Sequence, residues 1–145
     1  MSPEKEIDAD QVIDTFGELV SALAVFAAKV PAKSFMVNQS ILPTEETIEA
    51  FEDTVYRFRD RSGMTFRVLN SFFIDSLEAF ESGKVFDAVP PLLQAVEQLV
   101  ELHKEEKVKY TEQQQKRIRE FHQRLEKILP ESSQPEVDLP TPESY

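Results

Sequence analysis

Residues 65–83 read TFRVLNSFFIDSLEAFESG. Phe66, Leu69, Phe73, Leu77 and Phe80 recur at steps of three and four, the period of one helix face. Val68, Phe72 and Ala79 lie roughly 120–160° around the same helix at 3.6 residues per turn. The stretch therefore predicts a helix from about Thr65 to Ser82, apolar on two sides and closed by Gly83. A helix apolar on two sides has to pack on two sides, which predicts a central place in a helical domain.

The segments on either side repeat the pattern. Glu45 to Arg61 starts after the capping residue Thr44, carries Ile48, Phe51, Val55 and Phe58 as its seam, and stops at Ser62-Gly63. Asp8 to about Lys29 carries Val12, Phe16, Leu19, Leu23 and Phe26 at the same spacing, with Asp8 or Asp10 as cap. Downstream, Pro90-Pro91 predicts the entry to a fourth helix, because proline is tolerated in a first turn. Its face is Leu92, Val96, Leu99 and His103. Thr111 to Gln114 reads as a capping box and predicts a fifth helix, Glu112 to Leu129, with Ile118, Phe121 and Leu125 on its seam. The alternative is one helix over 91–129. No segment alternates at period two. The expected fold is all-α, a four- to five-helix bundle over residues 8–129, with a flexible N-terminus at 1–7. An acidic, proline-rich C-terminal tail at 130–145 is expected to be disordered.

Residues 31–43 lie between prolines and show no sustained period, yet they hold Phe35, Met36, Val37, Ile41 and Leu42. Such a connection either packs across the end of the bundle or docks a partner. These five residues are the first candidate binding surface.

Charge supplies the second. The formal net charge is −11, which repels phosphate backbones and anionic lipid and so argues against nucleic-acid and membrane binding. The balance is uneven, because residues 104–127 carry eight basic and five acidic side chains. On that cationic arm Lys116, Arg119 and Arg124 are the candidates for an anionic partner. The apolar run from Leu19 to Ala28 is far shorter than the roughly 20 residues a membrane span needs, and acids precede it where a secretory leader has cations. With no cysteine in the chain, a reducing, cytoplasmic setting is expected.

Chemistry-bearing residues are few. Position 100 is Val and position 119 is Arg, so neither His103 nor His122 has the glutamate three residues earlier that helical di-iron sites use. The three glycines are dispersed, leaving no phosphate-cradling loop. No metal and no cofactor is expected, and no Gly-x-Ser-x-Gly nucleophile element is present. One six-residue stretch, Arg117-Ile-Arg-Glu-Phe-His122, resembles the Arg-x4–6-His signature of HEPN-family helical ribonucleases. That resemblance implies Arg117 as the phosphate-charge stabiliser and His122 as the acid–base, working across a dimer interface. Ile118 stands where that family commonly has a polar residue, and five helical residues leave the two side chains about 140° apart.

The leading expectation is a noncatalytic interaction or adaptor module that binds another protein or itself as a homodimer. It rests on eleven phenylalanines, more than one simple stripe accounts for. A HEPN-like ribonuclease or inactive relative is the alternative, and a carrier with a phenylalanine-lined pocket for a small apolar ligand is the third reading.

Overall fold

The computed structural model describes residues 7–29 and 42–129. All of the regular structure in them is helical: α1 (Ala9–Ala27), α2 (Glu45–Arg61), α3 (Gly63–Phe66), a 3₁₀ turn (Arg67–Leu69), α4 (Asn70–Glu81), α5 (Val85–Lys104) and α6 (Glu112–Ile128). The five long helices match the expected five-helix bundle. The expectations for residues 1–6, the 30–41 connection and the 130–145 tail lie outside the described residues.

Local chemistry sets most of the boundaries. Asp8 caps α1 through a reciprocal box with Gln11, and Thr111 does the same for α6 with Gln114. Thr44 caps α2 by accepting from Thr47 N. At the end of α4, Gly83 takes φ 79°, Lys84 N donates to Ala79 O and Gly83 N to Phe80 O. Those are the two bonds of a Schellman stop. The α5–α6 break was the open question at 91–129, and the chain there forms two helices. The stop after α5 has the same geometry, with Glu106 N donating to His103 O and Lys107 N to Leu102 O. Here a glutamate at φ 63° stands in the glycine place. Tyr110 then locks the corner, its hydroxyl donating to Leu99 O at 3.0 Å while its ring stacks on His103 at 5.2 Å.

The helices run alternately along the bundle. Phe51 stacks on Phe80 and Phe58 meets Phe73 edge-on, so α2 and α4 are antiparallel. Asp10–Gln114, Asp14–Arg117 and Ser21–Arg124 advance together, so α1 and α6 are parallel and close the ring. Two aromatic clusters fill the interior. Phe16, Phe58, Phe73 and Phe121 form one, with centroid separations from 4.9 to 5.8 Å, and Phe26, Phe51 and Phe80 form the other. These spacings are those of attractive edge-to-face and offset pairs.

Two expectations are corrected. The helix expected over 65–82 is broken: Phe66 adopts φ −103°, ψ 6°, and a 3₁₀ turn follows before α4 begins. A 3₁₀ turn eclipses residues i and i+3, and this one brings Phe66 and Leu69 to the core together. That segment packs on more than one side, as expected: α4 meets α1 and α2 through Phe73 and Phe80 and α5 through Ser76. It buries Phe66, Leu69, Phe73, Ser76, Leu77 and Phe80, against seven residues on α1 and eight on α5. Of its second apolar side, Phe72 and Ala79 pack partly against the core and Val68 is 43% exposed. Finally, α5 starts at Val85 and carries Pro90 and Pro91 inside it. Buried Val85, Ala88 and Val89 extend the Leu92–Val96–Leu99 seam backwards. The prolines withhold N–H groups only from the carbonyls of Phe86 and Asp87, beside exposed Asp87 and Pro90. Ser76, fully buried on α4, donates to Ala88 O at 2.8 Å and ties this first stretch of α5 in place.

Candidate functional site

The predicted site residues fall in different places. Phe35, Met36, Val37 and Ile41 lie outside the described residues; Leu42 is 62% exposed just before α2. Lys116 and Arg119 are exposed on the outer side of α6. Arg124 reaches back to Ser21 Oγ at 3.5 Å. Arg117 turns towards α1, where its guanidinium lies 3.2 Å from Asp14 and 5.8 Å from the centre of the Phe121 ring. His122 faces Glu126 on its own helix at 3.6 Å. The pair implied by the ribonuclease resemblance is therefore engaged in two separate contacts. Arg117 belongs to the α1–α6 seam, because parallel packing sets the acids of α1 against the cations of α6.

Two clefts follow the α1–α2 seam. The first, about 180 Å³, is lined by Asp14, Glu18, Thr54, Arg57 and Arg61 above Ile7 and Phe58. Its carboxylates are already engaged: Asp14 by Arg117, and Glu18 by the Thr54 hydroxyl at 2.9 Å and Arg57 at 4.0 Å. The second, about 410 Å³, is more apolar and passes Ala22, Val25, Phe26 and Lys29 to Thr47. Between α2 and α4, the carboxyl of Glu81 lies near Glu52. Desolvation pushes the Glu81 carboxyl above the ordinary range, and the charges of Glu52 and Glu78 push it further. Among the described residues, no group of three His, Asp or Glu is placed to hold a metal ion.

The described phenylalanines are largely interior. Eight of the eleven rings are buried, and Phe72 and Phe86 pack partly against the core. Exposed apolar side chains remain at Val25, Leu42 and Val100, and on the segment where the 65–82 helix breaks. There Met64 is 78% exposed and Val68 43%. They stand four residues apart in the sequence, across the short α3 and the 3₁₀ turn, with half-buried Phe72 four residues further on. Gly63, at φ 69°, turns the chain out of α2 and lifts this segment.

Charge surrounds that edge. Residues 57–67 hold four arginines and one acid, Asp60, inside a strongly acidic body. Arg57 pairs with Asp53 at 3.0 Å, and Arg59 pairs with Asp60 while lying 4.6 Å over the Tyr56 ring. Arg61 and Arg67 are exposed and make no ion pair with the described residues. Charge counted over long stretches concealed this cluster and left residues 104–127 as the only cationic surface expected. A window of about ten residues centred on Met64 would have found it.

Comparison with known proteins gave no matching family model, no matching curated protein and no matching solved structure. Among the described residues no helix is long and apolar enough to cross a membrane.

Proposed function

We propose that this protein is a noncatalytic helical interaction module, working in the cytoplasm, that docks another protein on the edge formed by Met64 and Val68. The supporting observation is the exposure of Met64, 78%, the most exposed of the described large apolar side chains, with Val68 at 43% four residues on. Methionine and arginine are enriched in the buried centres of protein interfaces, and this edge offers both. Methionine also adapts its shape to a partner, having three rotatable bonds and a polarisable sulfur.

The test is site-specific photocrosslinking in cells, with the crosslinking residue at position 64 or, as control, at position 116. A discrete adduct is expected from position 64, absent from position 116 and lost with Val68→Asp. No adduct at 64, or the same adducts from both positions, refutes the reading. Because Val68 already faces solvent, the aspartate leaves the core intact, and helical circular dichroism checks that directly.

A further inference from the structure

The Met64–Val68 edge has a chemistry specific enough to name what it binds. We infer that its partner is an acidic amphipathic protein segment, which sets apolar side chains on Met64 and Val68 and carboxylates on Arg61 and Arg67. This rests on the docking reading above and specifies its partner.

Four observations converge. Met64 and Val68 are both exposed, four residues apart in the sequence, and half-buried Phe72 follows. Arg61 and Arg67, three residues either side of Met64 in the sequence, are exposed and not engaged by the acids of the described residues. Guanidinium presents a planar fork that matches a carboxylate with two parallel bonds, so arginine here favours that acceptor. Residues 57–67 hold four arginines against one acid in a chain of net charge −11, so within this acidic surface the segment is where a carboxylate is repelled least.

Other occupants fit less well. A symmetric dimer through this edge would bring together two copies of a stretch with four arginines and one acid. Single-stranded nucleic acid takes exposed aromatic platforms as well as cations; here Phe72 is half-buried and Tyr56 lies under Arg59. An anionic bilayer would meet a wide surface of a chain with net charge −11, whereas a short acidic segment meets only this arginine-rich stretch.

The experiment uses the full chain and fluorescence anisotropy with four probes. They are a short labelled helical peptide with a leucine stripe flanked by glutamates, its glutamine counterpart, a single-stranded RNA, and phosphatidylserine vesicles. The glutamate peptide is expected to bind about tenfold more tightly than the glutamine peptide, the order that two solvent-exposed charge pairs supply. That preference is expected to disappear in Arg61→Glu/Arg67→Glu and to shrink as salt shortens the Debye length below about 10 Å. Met64→Asp is expected to weaken both peptides. Equal binding of the two peptides, an unchanged preference in the double arginine variant, or tighter binding of RNA or vesicles overturns the inference. A dimer in sedimentation that Met64→Asp dissolves overturns it too. A position-64 adduct with a charge-indifferent peptide would leave docking standing and sink only the partner chemistry, whereas loss of the adduct would sink docking itself.

Discussion

Glu106 ends α5 in a conformation that suits glycine, which makes Glu106→Gly the sharpest stability prediction. It is the one non-glycine residue with positive φ among the described residues, at 63°. The surrounding bonds fix that angle: Glu106 N to His103 O at 3.0 Å and Lys107 N to Leu102 O at 2.9 Å both require the left-handed turn. Holding a side chain there costs roughly 1–2 kcal/mol, because Cβ crowds the following carbonyl. Glycine removes that cost but returns about 0.5–1 kcal/mol through the greater freedom of the unfolded chain. The substitution also removes a negative charge from the negative end of a helix, worth about 0.3 kcal/mol when exposed. The net expectation is a gain of about 1 kcal/mol, or about 3–5 °C in Tm for a chain of this size. Urea unfolding followed by circular dichroism measures it, with Glu105→Gly as the control. Glu105 is right-handed at φ −85°, so glycine there relieves nothing and is expected to cost about 0.5 kcal/mol. If Glu106→Gly is no more stable than the parent, or both glycines behave alike, the strain argument is wrong.

Gly17 on α1 allows the opposite exchange: a Cβ there would lie 3.7 Å from Phe121 and 3.8 Å from Arg117, ordinary contact distances. Gly17→Ala is accordingly expected to stabilise by about 0.5–1 kcal/mol in the same urea assay, through helix propensity. For Glu81, the folded state holds the carboxyl proton more tightly than the unfolded chain, so ionisation costs stability above the folded pKa and nothing below the unfolded one. Glu81→Gln is thus expected to raise the midpoint at neutral pH, with the advantage vanishing as pH falls below the carboxylate range. Burial pushes the Tyr110 hydroxyl up to about 12, above its ordinary value of 10.0. Its contribution is therefore complete below pH 10 and is lost as pH rises towards 12. Tyr110→Phe is expected to cost about 1 kcal/mol at neutral pH by removing the bond to Leu99 O, and to flatten the alkaline fall in stability.

Where the sequence predicted correctly, one local signal sufficed. Thr111 and Gln114 form the capping box that their spacing implies, and the helix beginning there buries Ile118, Phe121 and Leu125 as the period requires. Prediction failed where two local rules competed. Pro90-Pro91 reads as a helix start, yet Val85, Ala88 and Val89 bury fully enough to extend the helix five residues ahead of the prolines. In the 65–82 segment the period identifies the buried stripe, but Val68, Phe72 and Ala79 match the same period; Phe72 and Ala79 pack partly against the core while Val68 is left exposed. Nothing in a single sequence tells a second stripe that packs from one that is left open. That requires the placement of α5, whose contacts with α4 run through Ser76 and Ala88 on the other stripe's side.

The charge pattern adds a reason why the site was harder to read than the fold. Acidic α1 and cationic α6 lie more than 100 positions apart, and in sequence they look like separate surfaces awaiting partners. Parallel packing brings them together, so that Asp10 receives Gln114 and Asp14 receives Arg117. A cationic helix whose inward charges meet acids of its own chain is a solvated seam, with only its outer lysines and arginines left over. The arginines of 57–67 follow the reverse course. Their total is small and acids surround them in sequence, but Asp53, Glu18 and Asp60 engage only Arg57 and Arg59. Asp14, one of two carboxylates that share a cleft with Arg61, is held by Arg117, and the other, Glu18, by Thr54 and Arg57. Arg117 thereby couples the two surfaces. Arg117→Ala would free Asp14 to pair with Arg61, and if Arg61 binds an acidic segment, that substitution on a distant helix should weaken the glutamate peptide while leaving the glutamine peptide unchanged. Equal weakening of both would break the link between the seam and the docking edge.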